Sequence, residues 1–347
     1  MFFTSDNCAG VHKDISARLG DFGGFVPAYG TSDLDRAVER KFCEVFEKEV
    51  AVFFVATGTA ANSLALSSVQ RPGGVVFCHT EAHVAKDECG APDFFSGMRM
   101  VPVGGLESRM EIGALKAAVS VFPEDAVQHG RAAAITITQA TELGTTYSLS
   151  EIEEICDVAH QRRIPVHMDG ARFANALVAL ETTPAEMTWR RGIDMLSFGA
   201  TKNGCWCAEA IIFFNPEAAA DLPFLRKRAG QLFSKSRFIA AQLDAYLYDD
   251  LWMRLARHAN RMADRLRSEL TTVGARVAWP TSTNEVFAFL PNTKVECALA
   301  SGANFFKWPI PQAVRKHAVE HETLIRLVTS FATTNEHVSE LITALRD

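Results

Sequence analysis

Continuous apolar runs alternate along the chain with segments whose apolar residues recur at helical spacing. The apolar runs predict strands buried on both faces, at 51–55, 75–78, 133–138, 164–168, 195–198 and 210–214. The periodic segments predict one helix that begins at Ser32 or Asp33 and others at 60–69, 112–121 and 149–161. Strands that alternate with helices in this way indicate an α/β fold with a mostly parallel sheet covered on both faces.

The pattern changes after about residue 224, where helical spacing dominates. A long helix through 251–270 is expected to end a large domain. Strands near Val277, at 286–289 and at 324–328 then predict a smaller α+β domain. The Gly-rich N-terminus shows neither pattern and is expected to be an irregular arm. The prediction therefore has three parts: an arm that joins the active site at 1–30, a large domain at 31–271 and a small C-terminal domain at 272–347.

Composition excludes some classes of protein. With 35 Lys and Arg against 41 Asp and Glu, the formal net charge of the 347 residues is −6, which argues against a nucleic-acid or anionic-membrane partner. No apolar run reaches the roughly 18 residues that span a bilayer, and no signal peptide is evident. Eight scattered cysteines favour free thiols in a reducing compartment, so we expect a cytoplasmic protein. Cys205 and Cys207 lack the second pair that a structural zinc site needs, and no metal site is predicted.

Two of the predicted strands deliver reactive side chains to one edge of the sheet. The run at 164–168 leads to Asp169, and the run at 195–198 leads to Lys202. Because ligands bind outside the carboxyl ends of parallel strands, the carboxylate and the amine should face one crevice. Buried lysines are rare unless paired or used in chemistry. The pair predicts a pyridoxal phosphate (PLP) site, in which Lys202 forms the Schiff base and Asp169 keeps the pyridine nitrogen protonated.

Two weaker signals lie upstream of this pair. Thr57, Gly58 and Thr59 stand between a predicted strand and a helix, where backbone N–H groups and the helix dipole can hold a phosphate. The alternative for these residues is a simple turn with a helix cap. His83 follows another apolar strand and would stack on a cofactor ring or act as a base, unless it is a hydrogen-bonded loop histidine.

Two arginines are candidates for binding a carboxylate. Arg172 lies three residues after Asp169, where it would contact the cofactor or a substrate carboxylate, or form a surface salt bridge. Arg326 interrupts an apolar strand and is either solvent-exposed or a bidentate carboxylate ligand; we favour the ligand. Ser5 belongs to a polar arm whose composition alone carries no signal.

In combination, these residues resemble the β-eliminating lyase/threonine aldolase family of fold-type I PLP enzymes. Within it, the chain is most similar to low-specificity L-threonine aldolases and phenylserine aldolases. The resemblance covers essentially the whole chain, and H-M-D-G-A-R-F with S-F-G-A-T-K-N-G is its most specific pair. The motifs that carry it are S-D-N (5–7), P-A-Y-G-T (27–31), T-G-T-A-A-N-S-L-A-L (57–66), A-H-V-A-K-D-E-C-G-A-P (82–92), I-T-Q-A-T-E-L-G (137–144), H-M-D-G-A-R-F-A-N-A (167–176), S-F-G-A-T-K-N-G (197–204) and R-A-G-Q (228–231).

The resemblance implies a three-layer large domain with a small C-terminal domain, and a role for each flagged residue. The catalytic set would be Lys202, Asp169 and the ring-stacking His83. The phosphate would be held by Thr57, Gly58, Thr59 and Thr201, with Arg172 also near the cofactor. The substrate carboxylate would be held by Ser5, Arg172 and Arg326. One departure matters: several members carry a histidine in T-H-N where this chain has residues 139–142, so His83, Glu142 or a water must serve as the base for the β-hydroxyl.

The implied activity is cleavage of the Cα–Cβ bond of L-threonine, L-allo-threonine or 3-phenylserine to glycine and an aldehyde. A β-eliminating lyase or an aminotransferase of the same fold is the alternative within PLP enzymes. A noncatalytic or nucleotide-binding α/β protein, with the T-G-T segment only a turn, is the alternative outside them. The resemblance also implies a homodimer or homotetramer with shared active sites. The sequence leaves the preferred aldehyde, the threo/erythro preference and the hydroxyl base open.

Overall fold

The structure is a computed structural model that describes residues 1–21, 23–125, 127–311, 315 and 319–346. Its strands are β1 (Ala51–Val55), β2 (Gly74–His79), β3 (Arg99–Val103), β4 (Arg131–Thr138), β5 (Val166–Gly170), β6 (Met195–Gly199), β7 (Glu209–Phe213), β8 (Arg276–Val277), β9 (Glu285–Pro291), β10 (Phe306–Lys307) and β11 (Glu322–Val328). Its helices are α1 (Lys13–Gly20), α2 (Asp33–Val45), α3 (Gly58–Ser67), α4 (His83–Lys86), α5 (Ala91–Ser96), α6 (Ile112–Ser120), α7 (Leu149–His160), α8 (Phe173–Leu180), α9 (Pro184–Met187), α10 (Leu222–Arg228), α11 (Arg237–Leu247), α12 (Leu251–Thr272), α13 (Asn292–Ala300) and α14 (Asn335–Ala344).

The first sheet has seven strands in the order β1-β7-β6-β5-β4-β2-β3. Strands β3, β2, β4, β5 and β6 pair in parallel, whereas β7 is antiparallel to both of its neighbours. The predicted α/β fold with a mostly parallel sheet is therefore confirmed. Since parallel strands end on the same side, the residues that follow β4, β5 and β6 meet at one edge.

The second sheet has four antiparallel strands in the order β10-β11-β9-β8. Its core includes Phe3 from the N-terminal arm, together with apolar residues of α12 and α14. The backbone N–H of Phe3 donates to the Asn304 carbonyl at 2.7 Å, and the Phe3 carbonyl accepts from Val328 N–H at 2.8 Å. The start of the chain is thus fixed to the second sheet. The boundaries at 30/31 and 271/272 remain predictions.

Local sequence explains the helix that leads into the first sheet. Ser32 caps α2: its hydroxyl accepts from Asp35 N–H while the Asp35 carboxylate accepts from Ser32 N–H. The apolar face of α2 buries Phe42, which meets Phe198 of β6 edge to face at 5.1 Å between ring centroids. Truncating either ring would cost about 3–5 kcal/mol of folding free energy.

One sequence expectation is wrong, and strand β3 was missed. The arm is not irregular throughout, because α1 forms within it, capped by His12, and buries Ile15 in the core of the first sheet. One buried residue in this helix leaves too weak a periodicity to detect. Strand β3 was not predicted because it is an edge strand with mostly accessible residues and a proline, which edge strands tolerate. Within the described residues, no helix is both long and apolar enough to cross a membrane.

Candidate active site

A cavity of about 380 Å³ lies at the edge of the first sheet where β4, β5 and β6 end. The N-terminus of α3 forms one wall, and the loop that follows β4 forms another. Eight of the predicted residues line it: Thr57, Gly58, Thr59, His83, Asp169, Arg172, Thr201 and Lys202. The structure therefore brings the predicted carboxylate, amine and phosphate-binding segment together.

Asp169 lies near the end of the fully buried strand β5 and is itself 4% exposed. Its Oδ2 accepts from Asn62 Nδ2 at 2.9 Å, and its Oδ1 accepts from Ala171 N–H at 3.0 Å. These two donors fix the carboxylate at the cavity wall. Asn62 also donates to Glu88 Oε1 at 2.8 Å, so one buried amide holds two carboxylates of the site.

Lys202 follows β6 in a short 3₁₀ turn, Thr201–Asn203, and its amine lies in the cavity. Burial lowers the pKa of Lys202, and the nearby Arg172 guanidinium lowers it further, although Asp6, Asp169 and Glu285 oppose both. A lower pKa raises the fraction of neutral amine, which is the nucleophilic form.

The segment 57–59 forms an anion-binding corner. Thr57 caps α3 by accepting a hydrogen bond from Ala60 N–H at 3.1 Å, so the helix cap, which is the alternative to a phosphate site, is present. It does not compete with anion binding, because the N–H groups of the first turn of a helix have no intrahelical acceptor. A Cβ built on Gly58 meets no atom within 4 Å, which leaves space for an anion against the backbone. Thr201 lines the same cavity.

His83 begins α4, and its Nδ1 lies 2.9 Å from Oε1 of the buried Glu88. Since a carboxylate only accepts hydrogen bonds, Nδ1 carries the proton. The hydrogen bond to Glu88 raises the pKa of His83 against the opposing effect of burial. The ring is therefore held by Glu88 with its imidazolium form favoured.

The predicted carboxylate-binding residues lie around an adjoining cavity of about 580 Å³, which is lined by Ser5, Arg172 and Arg326 among others. Arg172 is buried and donates from Nε and Nη2 to both oxygens of Asp6, at 2.8 and 3.0 Å. Arg326 donates to Oε1 of Glu285 at 3.0 and 2.5 Å, and its guanidinium lies over the Trp308 ring at 5.0 Å. Ser5 Oγ accepts from Asn7 N–H at 3.1 Å.

Glu285 connects the two arginines, because its Oε2 lies 3.4 Å from Arg172 Nη1. Two cations and two carboxylates thus form one buried network that joins the arm, β5–α8 and the second sheet. Burial alone would raise the pKa of Asp6, but Arg172 and Lys202 outweigh it and lower the pKa to about 2. We call Ser5, Asp6, Arg172, Glu285 and Arg326 the carboxylate clamp.

Sequence reasoning missed several residues of the site. Asp6 and Glu285 carry no local signal, since each acquires its role from an arginine far along the chain. Asn62 on α3 and Glu209 on β7 are polar residues inside largely apolar elements, and that is the available clue. Glu88 lies between α4 and α5, inside the motif at 82–92, and carries no such signal. Burial raises the pKa of Glu209 to about 7 at the cavity wall next to Thr201.

The arrangement fits PLP. A helix N-terminus with threonine hydroxyls suits the phosphate, a buried carboxylate suits the pyridine nitrogen, and a lysine of lowered pKa suits the aldehyde. A solved structure of SPT with PLP has the same fold, with a TM-score of 0.68 at 14% identity over 100% of this chain and 86% of that one. The fold is that of the fold-type I PLP enzymes, and the residues that line the cavity fit pyridoxal 5'-phosphate as the cofactor.

The comparisons with known proteins go further. A low-specificity L-threonine aldolase of Pseudomonas aeruginosa is 40% identical over 311 residues, which is 88% of each chain. The threonine aldolase structure from Leishmania major superimposes with a TM-score of 0.91 at 26% identity, covering 99% of this chain and 98% of that one. The β-eliminating lyase family model matches residues 3–293. The chain belongs to the β-eliminating lyase family and is a carbon–carbon lyase of the threonine aldolase type.

Proposed function

We propose that this lyase cleaves the Cα–Cβ bond of a β-hydroxy-α-amino acid, with L-threonine, L-allo-threonine or 3-phenylserine as substrates, and releases glycine and an aldehyde. The observation that carries the proposal is the continuity of two cavities. The Lys202 amine borders both the cavity that suits PLP and the cavity that contains the carboxylate clamp. An amino acid held by the clamp therefore presents its Cα next to the lysine.

In this proposal, the residues of the first cavity hold the cofactor. Thr57, Gly58, Thr59 and Thr201 bind the phosphate, His83 stacks on the ring, and Asp169 holds the ring nitrogen protonated. Bound PLP supplies an electron sink for the bond that breaks at the substrate Cα. Lys202 would hold the cofactor through its amine and would yield that position to the substrate amine, and its lowered pKa favours the neutral, nucleophilic form that this requires.

The clamp selects the bond. Arg326 and Arg172 bind the substrate carboxylate together with Ser5, and holding that carboxylate fixes which substituent of Cα is placed for cleavage. Asp6 and Glu285 hold the two guanidiniums in position in turn. The buried network makes the clamp a rigid part of the fold rather than a pair of mobile surface side chains.

One part of the wall of the second cavity is apolar. Leu143, Trp308 and Ile310 line it, and Trp308 is fixed by contact with the Phe287 ring at 5.8 Å between centroids. This wall would accept the methyl group of threonine or the phenyl group of phenylserine. Such a wall discriminates weakly between apolar groups that differ by a few carbons, typically by about 1–3 kcal/mol.

We further propose a cytoplasmic homodimer or homotetramer with shared active sites. Trp206, which lines the cofactor cavity, is an exposed aromatic side chain, and so is Tyr29. Tyr29 N–H donates to the Ser234 carbonyl, and the neighbouring Gln231 accepts from Ala56 N–H beside the phosphate-binding segment. Apolar surface next to a site is the kind of surface that a second chain covers.

The test is a product assay of the purified protein with PLP on L-threonine, L-allo-threonine and L-threo-3-phenylserine side by side. The proposal predicts glycine and the matching aldehyde in equal amounts from at least one of them. A 2-oxo acid with ammonia would instead establish a β-eliminating lyase, and amino transfer to an added 2-oxo acid would establish an aminotransferase. A sample that gains no visible absorbance after addition of PLP would overturn all three enzyme readings.

A further inference from the structure

The two cavities of the site share five lining residues, Asn7, His83, Glu142, Arg172 and Lys202. This shared region is where the Cα and Cβ of a clamped substrate lie under the proposed function. Under that function, Arg172 binds Asp6 and the substrate carboxylate, and Lys202 binds the cofactor. Two titratable groups, His83 and Glu142, remain in the shared region to receive the proton of the β-hydroxyl.

Glu142 lies in the loop after β4 and is fixed by three donors. Its Oε1 accepts from His83 N–H at 2.8 Å and from Thr138 Oγ1 at 2.7 Å. Its Oε2 accepts from Ser108 Oγ at 3.1 Å. Each carboxylate oxygen has two lone pairs, so Oε1 is saturated whereas Oε2 retains one for a ligand. The carboxylate is therefore positioned, with one acceptor site left over.

The charge around Glu142 differs from that around the clamp carboxylates. Asp6 and Glu285 are ion-paired with arginines, whereas within the described residues no salt bridge joins Glu142 to a basic group. Its anchors Ser108 and Thr138 are neutral. Ser108 also contacts His79, whose pKa burial lowers, so that ring is neutral as well. Burial, with Asp169 contributing, raises the pKa of Glu142. A carboxylate of this kind accepts a proton more readily than an ordinary one.

His83 is the weaker candidate. Its Nδ1 proton is committed to Glu88, and that hydrogen bond raises the pKa of the ring, so a smaller fraction of it is in the neutral form whose Nε2 can accept a proton. The same geometry suits a ring that stacks on the cofactor. The two groups therefore have separate tasks in the shared region.

We propose that Glu142 is the catalytic base that removes the proton from the substrate β-hydroxyl, an inference that rests on the proposed function. The O–H bond breaks as the proton passes to Glu142 Oε2, and the oxygen electrons form the aldehyde C=O. The electron pair of the Cα–Cβ bond stays with Cα, where a proton replaces the departing carbon. Glu142 then returns its proton to solvent. The reaction is balanced and needs no oxidant or reductant.

The test compares two reactions of the holoenzyme carrying Glu142→Gln. Cleavage of L-threonine needs the hydroxyl base, whereas exchange of the α-proton of glycine with heavy water does not. The variant is expected to lose roughly 10²- to 10⁴-fold in kcat for cleavage. Glycine exchange, the absorbance of bound PLP and the dissociation constant for glycine should each stay within a few-fold of wild type. Glu153→Gln, which changes an exposed carboxylate on α7 that pairs with Arg191 outside both cavities, should leave both reactions intact.

Parallel loss of cleavage and exchange in Glu142→Gln would overturn the inference, and so would unchanged cleavage. A selective loss of cleavage in His83→Asn instead would assign the base to His83. Should the glutamine variant fail to fold, Glu142→Asp withdraws the carboxylate by one carbon and should show the same selective loss. Failure of the proposed function is distinct, because the wild-type protein would then produce no glycine from threonine at all.

Discussion

The two halves of the site are built in different ways. The cofactor half consists of residues that end strands of one sheet, with Asp169 after β5, Lys202 after β6 and residues 57–59 after β1. The clamp half joins residues 166 positions apart, as in Asp6 and Arg172, and brings a second sheet against the first. Strand ends are fixed by backbone hydrogen bonds, whereas the clamp is fixed by buried ion pairs. The first half should determine whether chemistry occurs, and the second should determine what is bound.

The largest expected effect tests the cofactor half. Lys202→Ala should reduce turnover by about a thousandfold or more, since the covalent anchor and the exchange with the substrate amine are both lost. Tm with PLP and far-UV circular dichroism should show an intact fold, while the visible absorbance of bound PLP should change. Turnover near that of wild type would exclude the Schiff-base role.

The next effect concerns the partner of the ring nitrogen. Asp169→Asn keeps the size of the side chain but removes the charge, and kcat should fall by roughly 10²- to 10³-fold with a modest change in KM. The control is Asp157→Asn, a carboxylate on α7 outside the two cavities. A change in KM alone for Asp169→Asn would place this residue among the binding groups instead.

A substitution in the clamp should change KM more than kcat. Arg326→Ala removes a charged hydrogen-bond donor to the carboxylate, so KM should rise about 10- to 100-fold with kcat less affected. Lys307→Ala, an exposed cation on the neighbouring strand β10 paired with Glu296, serves as the control. If both kinetic constants stay unchanged, Arg326 lies outside the substrate site.

The smallest expected effect is a pH dependence of PLP binding, which only the cofactor half should show. Glu209, whose pKa is about 7 because of burial, is protonated below that pH and ionised above it. Lys202 favours its ionised form and Asp169 opposes it. An added negative charge beside the phosphate-binding segment should weaken PLP binding several-fold between about pH 6 and 8. Glu209→Gln should remove this pH dependence in equilibrium dialysis, whereas glycine affinity measured at saturating PLP should keep its own profile.

The same contrast explains what the sequence could predict. Asp169, Lys202 and His83 follow continuous apolar strands of the parallel part of the sheet, so their convergence at one edge follows from parallel pairing. The segment 57–59 follows β1, which reaches the same edge through two antiparallel pairings with β7 and β6 that the sequence does not indicate. Asp6 and Glu285 could not be predicted, because nothing near either residue indicates a buried arginine partner. Helix α1 could not be predicted because a single buried residue produces no hydrophobic periodicity. Edge strand β3 could not be predicted because its side chains are mostly accessible.

Glu142 lines both cavities, so it belongs to both halves of the site. The resemblance leaves His83, Glu142 or a water as the hydroxyl base, and the hydrogen bonds of the folded chain favour Glu142 over His83. Glu88 engages the ring nitrogen of one residue, while Ser108 and Thr138 leave an acceptor site on the other.

The proposed function requires that the Cα–Cβ bond of the substrate breaks. The most direct test uses L-threonine that is isotopically labelled at Cα. The label is followed by NMR during turnover with purified protein and PLP. We expect the label to appear in glycine, together with an equal amount of unlabelled acetaldehyde. A label that stays in a four-carbon 2-oxo acid would contradict it, because the Cα–Cβ bond would then have survived.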